Sequence, residues 1–252
     1  MQDAGLASPV AREAALAPVA AAIGEPARAA MLAQLMDGRS LPASELARRA
    51  GVAPATASSH LTRLVAAGLV RVHLQGRHRY HELASPLVAQ ALEALSLISP
   101  VLPVRSLRQG IAAETMREAR SCYDHLAGRL GVAVRDGLLE SGCLVAIDER
   151  DHAVTEMGCR RLRSLEIDPN ALAAQRRVFA RSCLDWSERR PHLAGALPAA
   201  VYRAMLRAGW LLRRPGDRGL QVTAACGQGL RAWLDLPPPW PNVDGDVPRW
   251  RS

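Results

Sequence analysis

Glu45–Val70 reads ELARRAGVAPATASSHLTRLVAAGLV, and three residues within it punctuate the chain. Gly51 ends a short helix, Ser44–Ala50, whose first turn holds Glu45 and whose last holds Arg48 and Arg49, the order a helix dipole favours. Val52-Ala53 is too short to be anything but a turn. Pro54 suits the first position of a second helix, which carries Leu61, Leu64 and Val65 inward and stops at Gly68. Two short helices joined by a tight Gly-containing turn make a helix-turn-helix.

Upstream, a helix is expected over Ala11–Ile23, then a break at Gly24-Glu25-Pro26. A second helix follows, with Met31, Leu32, Leu35 and Met36 at helical spacing. Downstream the period shortens. Leu69, Val70, Val72 and Leu74 read as a strand, Gln75-Gly76-Arg77 as a turn, and His78, Tyr80 and Leu83 as the returning strand. Such a ribbon is a wing. Ser85-Pro86 opens an amphipathic helix with Leu87, Val88, Ala91, Leu92, Leu95 and Ile98 on one face. Pro100–Ser106 marks the boundary, giving domains at 1–99 and 107–235 and a Pro-rich tail at 236–252.

Charge points to a partner. The chain has 252 residues and a net charge of +8, and all 32 of its basic residues are arginine. Arg39–His81 holds seven arginines against the single acid Glu45, whereas residues 1–38 hold two arginines against four acids. Positive charge focused on the reading unit is what phosphate neutralisation requires. Candidate DNA contacts are Pro54, Ala55, Thr56, Ser58, Ser59, His60 and Arg63 on the outer face of the second helix, with Arg77 and Arg79 on the wing. Small residues admit the backbone to the groove floor, and Ser and Thr bond phosphates or base edges.

The stretch Ala27–Leu83 resembles the winged helix-turn-helix of the arsenic-repressor (ArsR) family of bacterial regulators, carried by Glu45–Val70 and the wing after it. The resemblance implies a homodimeric cytoplasmic transcription regulator on a double-stranded DNA operator of two-fold symmetry. It implies DNA contacts at Pro54–His60 and a dimer interface on the helices flanking the wing domain. Two familiar metal sites of the family are missing. Leu41–Leu46 has no Cys, and the helix after the wing offers only Glu93. The chain also runs some 150 residues further than the family's usual length.

Composition sets the remaining bounds. Hydrophobic residues at 49% and charged residues at 22% fit a chain that folds, and aromatics at 4% favour helix over sheet. The expected class is mainly α (α+β). No apolar run is long enough for a membrane span, and Met1–Val10 lacks a secretory pattern, so a cytoplasmic protein without a membrane partner is expected. Five cysteines, all in the second half, argue against a disulfide framework.

That second half repeats itself. His125-Leu126-Ala127-Gly128 recurs as His192-Leu193-Ala194-Gly195, and Cys122-Tyr123-Asp124 upstream of the first matches Cys183-Leu184-Asp185 upstream of the second. Each copy reads as helix, hairpin, helix, with each His opening a helix. Cys122 and His125 would then share one helix face. With Cys183, Asp185 and His192 they form a candidate ligand set for a thiophilic divalent metal: zinc, cadmium, nickel or lead. Two other readings stand beside it. The His-Asp pairs fit a duplicated capping device, and Tyr123, Phe179, Trp186, Tyr202 and Trp210 fit the lining of a small-molecule effector pocket. Cys143, Cys159 and Cys226 read as packing. A Cys-His nucleophile lacks any accompanying oxyanion or phosphate-loop motif, so no enzyme is expected. The sequence thus predicts a dimeric repressor with an effector at its C-terminal domain, or, alternatively, an effector-free architectural DNA-binding protein.

Overall fold

Gly51, Pro54 and Gly68 act in the computed structural model as the sequence predicts. The structure describes residues 14–101 and 103–236. The Pro-rich tail from 237 and the start of the expected first helix lie outside the described residues. By their internal contacts, residues up to 33 with 40–84 form one unit, and 34–39 with the residues from 85 onward form another.

In the first unit, α1 (Leu16–Ile23) and α2 (Pro26–Leu35) precede a two-residue strand β1 (Leu41–Pro42), α3 (Ala43–Ala50), α4 (Pro54–Ala66), β2 (Val70–Gln75) and β3 (His78–Leu83). Gly51 adopts φ 68°, and the N–H of Val52 folds back onto Ala47, closing α3. β2 and β3 pair antiparallel from Val70 opposite Leu83 to Gln75 opposite His78. Gly76, at φ 60°, supplies the left-handed first residue of the two-residue turn. β1 completes a sheet of order β1-β3-β2, with Leu41 opposite His81. Leu41-Pro42 reads in the sequence as helix approach; the free edge of β3 recruits it as a strand. Met31, Leu32, Leu46, Ala57, Leu61, Leu64 and Leu83 are buried. Val65, expected inward, is 39% exposed, because α4 turns only the Ala57-Leu61-Leu64 stripe to α3 and β2.

The second unit begins with α5 (Pro86–Ile98) and α6 (Leu107–Glu118). Then come the hairpin β4 (Arg120–Cys122) and β5 (His125–Ala127), α7 (Gly128–Glu140), the hairpin β6 (Leu144–Ala146) and β7 (His152–Val154), and α8 (Glu156–Arg163). A short α9 (Pro169–Ala173) leads to the hairpin β8 (Arg181–Leu184) and β9 (Pro191–Ala194), α10 (Ala196–Arg207), the hairpin β10 (Leu211–Arg213) and β11 (Leu220–Val222), and α11 (Ala224–Leu234). The succession hairpin, helix, hairpin, helix thus occurs over 120–163 and over 181–234. Leu126, Leu130, Val134 and Leu138 of the first stretch share one core with Leu193, Leu197, Val201 and Met205 of the second.

Two expectations need correction. Residues 120–127 and 181–194 are hairpins, so neither Cys122 nor His125 lies on a helix. Strands of three or four residues have no periodicity to betray them, and the two-residue turn Tyr123-Asp124 closes with Tyr123 in the left-handed region, φ 60°. Helix α5, placed in the first domain by the sequence reading, groups with the C-terminal residues. Its buried face is Ala89, Leu92 and Glu93, and Glu93 is bonded to Arg218. Leu87 and Ile98 of the expected apolar stripe are exposed.

Candidate DNA interface and cysteine–histidine cluster

Burial of Ala57, Leu61 and Leu64 turns the opposite face of α4 outward. Pro54, Ala55, Thr56, Ser58, Ser59 and Arg63 are exposed. The N-cap residue Ala53 provides no side-chain acceptor, so the first-turn N–H groups stay open to an anion. His60 departs from the expected outer face. It is half-buried, its Nδ1 3.4 Å from Arg28 Nη1 and 3.6 Å from Glu25 Oε2, so it braces α4 against the start of α2. On the wing Arg71 is neutralised by Glu82 at 2.6 Å. Arg77 and Arg79 are exposed and, among the described residues, form no ion pair, as is true of Arg63. Of the arginines described on α4 and the wing, these three are therefore left for an external partner.

The second unit brings four residues together. Each cysteine sits directly across its hairpin from a histidine: Cys122 opposite His125 in β4–β5, Cys183 opposite His192 in β8–β9. The hairpins pack so that the sulfurs and one ring nitrogen of each His all lie within 4.8 Å of one another. His125 Nε2 and His192 Nε2 are 3.2 Å apart. Cys122, His125 and His192 are buried and Cys183 is half-buried.

Behind each ring stands a carboxylate. His125 Nδ1 is 3.4 Å from Asp124 Oδ1, and His192 Nδ1 is 3.2 Å from Asp185 Oδ2. Arg177 clasps Asp124 with both terminal nitrogens. Asp185 accepts from Arg120 Nη2 at 2.8 Å, from the Gly128 N–H at 2.7 Å and from the Ser187 N–H at 2.9 Å. Asp185 was expected among the ligands. Its oxygens are instead committed to Arg120, Gly128, Ser187 and the far side of His192, so it does not join the converging donors. Sequence reasoning missed Arg120 and Arg177; the His-Asp pairs it read as a capping device stand here behind the converging donors.

Glycine lets the hairpins run into their helices. Gly128 has φ 79°, and a Cβ there would stand 2.6 Å from the Arg117 carbonyl; Gly195 has φ 122°, with the Phe179 and Val178 carbonyls at 2.7 Å. This explains the Gly that closes both His-Leu-Ala-Gly motifs.

The electrostatics follow from the geometry. Its hydrogen bond to Cys183 and its burial push the Cys122 thiol up to about 12. Burial would lower His192, but Asp185 and the Cys122 thiol hold its ring up to about 9. His125 is likewise raised against burial, by Cys122 and Asp124. Burial would raise both aspartates, yet Arg177 and His125 hold Asp124, and His192 and Arg120 hold Asp185, well below the usual carboxylate range.

The aromatic residues do not gather into one pocket. Tyr202 is core, Trp210 packs on Gly229, and Trp186 stacks on Arg120, 4.8 Å from ring centre to guanidinium. Cys143 and Cys226 are buried in the core cluster.

Comparison with known proteins places these features. A helix-turn-helix domain family matches residues 23–73. An uncharacterized HTH-type transcriptional regulator of Bacillus subtilis, YdfF, is 41% identical over 208 residues, covering 82% of this chain and 92% of the relative. The HTH-type transcriptional regulator CmtR of Mycobacterium tuberculosis is 37% identical over 84 residues, 33% of this chain and 70% of the relative. Among solved structures, the homodimeric winged helix-turn-helix DNA-binding domain of a possible ArsR-family regulator from Mycobacterium bovis is 25% identical, with TM-score 0.31, covering 33% of this chain and 76% of its own.

Proposed function

Because the chain belongs to the family of HTH-type transcriptional regulators, we propose that it is a dimeric cytoplasmic repressor of the ArsR type whose affinity for an operator is set by an effector held in its C-terminal unit. The observation that carries the reading is the exposed α4 face with Arg63, Arg77 and Arg79 unpaired beside it, backed by the buried Ala57-Leu61-Leu64 stripe. Pro54, Ala55, Thr56, Ser58 and Ser59 would approach the major groove, and Arg77 and Arg79 the adjoining phosphates. Two dimer geometries with different effector affinity would space the reading helices differently, and by linkage change DNA affinity. We read 120–163 and 181–234 as two copies of one unit, supported by the matching Cys-x-Asp and His-Leu-Ala-Gly segments. The protein acts by binding rather than turnover. No helix of the described residues is long and apolar enough to cross a membrane.

The test is fluorescence anisotropy of the purified full chain on duplexes from its own promoter region, across a salt series. Binding that weakens steeply with salt, at two protomers per site, supports the proposal. No rise in anisotropy with any duplex at low ionic strength overturns it.

A further inference from the structure

We propose that Cys122, His125, Cys183 and His192 form a closed tetrahedral site for a thiophilic divalent cation, zinc or cadmium. Four donors of the right softness, two sulfur and two nitrogen, converge within 4.8 Å from two separate hairpins. Metal–nitrogen bonds of about 2.0–2.1 Å and metal–sulfur bonds of about 2.3 Å put tetrahedral donors roughly 3.3–3.8 Å apart. The two Nε2 atoms, at 3.2 Å, already stand at that edge length. The sulfurs need close by no more than about an ångström.

The surroundings fit a cation as well as the donors do. A ligating imidazole donates its second N–H to a carboxylate, which fixes its tautomer and aims the other nitrogen at the metal. Asp124 and Asp185 stand in that position behind the two rings. Each carboxylate is itself pinned, Asp124 by Arg177 and Asp185 by Arg120 and two backbone N–H groups. The two Nε2 atoms face each other across 3.2 Å, an arrangement that only a proton or a cation between them makes favourable. Four protein donors leave no open position in a tetrahedral site, so the centre suits a sensing or structural cation rather than catalysis. On binding, two S–H bonds break and two metal–thiolate bonds form; the two thiol protons, and the proton that the facing imidazoles hold in the metal-free site, pass to solvent. The cation keeps its oxidation state, and two thiolates balance its charge.

Occupancy has a route out of the site. Asp185, behind His192, is bonded to Arg120, and Arg120 Nη2 lies 4.0 Å from Glu93 Oε2 on α5. Helix α5 begins three residues after the wing strand β3 ends. That the metal is the effector rests on the regulatory reading above; that it binds does not.

The test titrates CdCl2 into the chelator-stripped full chain and follows the ultraviolet thiolate-to-cadmium charge-transfer band. One cadmium per chain is expected, lost in Cys122→Ser and in Cys183→Ser and kept in Cys143→Ser. X-ray absorption of the zinc-loaded wild-type chain, which needs no variant to fold, should give two sulfur and two nitrogen neighbours. Absence of a stoichiometric band, or a different neighbour set, overturns the site. A filled site that leaves duplex affinity unchanged overturns its role as the effector site. Failure to bind duplex in both forms, with the cadmium band intact, refutes the regulatory reading alone.

Discussion

Replacing Arg120 with methionine tests whether the charges behind the cluster hold the second unit together. Arg120 is fully buried. Its Nη2 donates to Asp185 at 2.8 Å, and its Nη1 to Ser187 Oγ at 3.0 Å and to the Met116 carbonyl at 3.3 Å, while its guanidinium lies on Trp186. Methionine keeps most of the length and none of the charge. Breaking one side of a buried ion pair costs about 3–5 kcal/mol, because the other charge is stranded. Here the stranding is partial. Asp185 keeps the Gly128 and Ser187 N–H groups, and Glu93 keeps Arg218 at 2.6 Å. The expected loss is therefore at the low end, about 3 kcal/mol. Urea unfolding of the metal-free chain at neutral pH, followed by tryptophan fluorescence, reads it directly, since Trp186, Trp210 and Trp233 all belong to the second unit. With a slope of about 1–3 kcal/mol/M the midpoint should fall by roughly 1–3 M. Adding Asp185→Asn removes the stranded charge, so the double variant should lose clearly less than the sum of the two single losses. A single-variant loss under about 1 kcal/mol, or strict additivity, would refute the reasoning.

The wing offers a paired comparison: Arg77→Ala should lower the slope of log affinity against log salt by about one, whereas Arg71→Ala, already neutralised by Glu82, should leave it nearly unchanged. Equal slopes in an anisotropy titration would put Arg77 away from phosphate. Asp185 should shape the acid limb of stability in the metal-free chain. Its folded value lies below the roughly 3.9 of an unfolded aspartate, so its contribution is full above that value and lost as pH falls through it; Asp185→Asn should flatten the decline below about pH 5. An unchanged acid limb in pH-dependent urea curves counts against it. Asp124→Asn should weaken cadmium binding by about 10–100-fold without altering stoichiometry, as loss of a carboxylate orienting a ligand does. Competition with a chelator of known affinity measures this, and an unaltered affinity would mean that Asp124 orients nothing.

The first unit is legible in the sequence because its signals are local. Gly51, Pro54, Gly68 and Gly76 each set a backbone angle within a few residues of the element they end or begin. The apolar spacing between them does the rest. What periodicity cannot supply is the identity of the facing surface. It finds Leu87, Leu92, Leu95 and Ile98 on α5, but of these the structure buries only Leu92, beside Ala89 and Glu93, since Arg218 and Arg120 reach that side. It counts Val65 inward and sets His60 outward, and contacts with other elements decide both otherwise. In the second unit Cys122, His125, Cys183 and His192 do converge, while Asp185 does not, and the geometry is not the one expected. Cys122 and His125, three apart, satisfy helix spacing and a two-residue hairpin alike, and Tyr123 at φ 60° selects the hairpin with no glycine to announce it. The meeting of two hairpins whose histidines stand 67 positions apart is non-local, and only the internal repeat hinted at it.

Each hairpin contributes half of the donors, so neither can grip a cation by itself. A filled centre would act as a removable cross-link spanning α7, α8 and α9, closing a long loop in the unfolded chain much as a disulfide does. The heat and protease resistance of that region would then follow the free-metal concentration of its surroundings, rising with its logarithm once that concentration exceeds the dissociation constant.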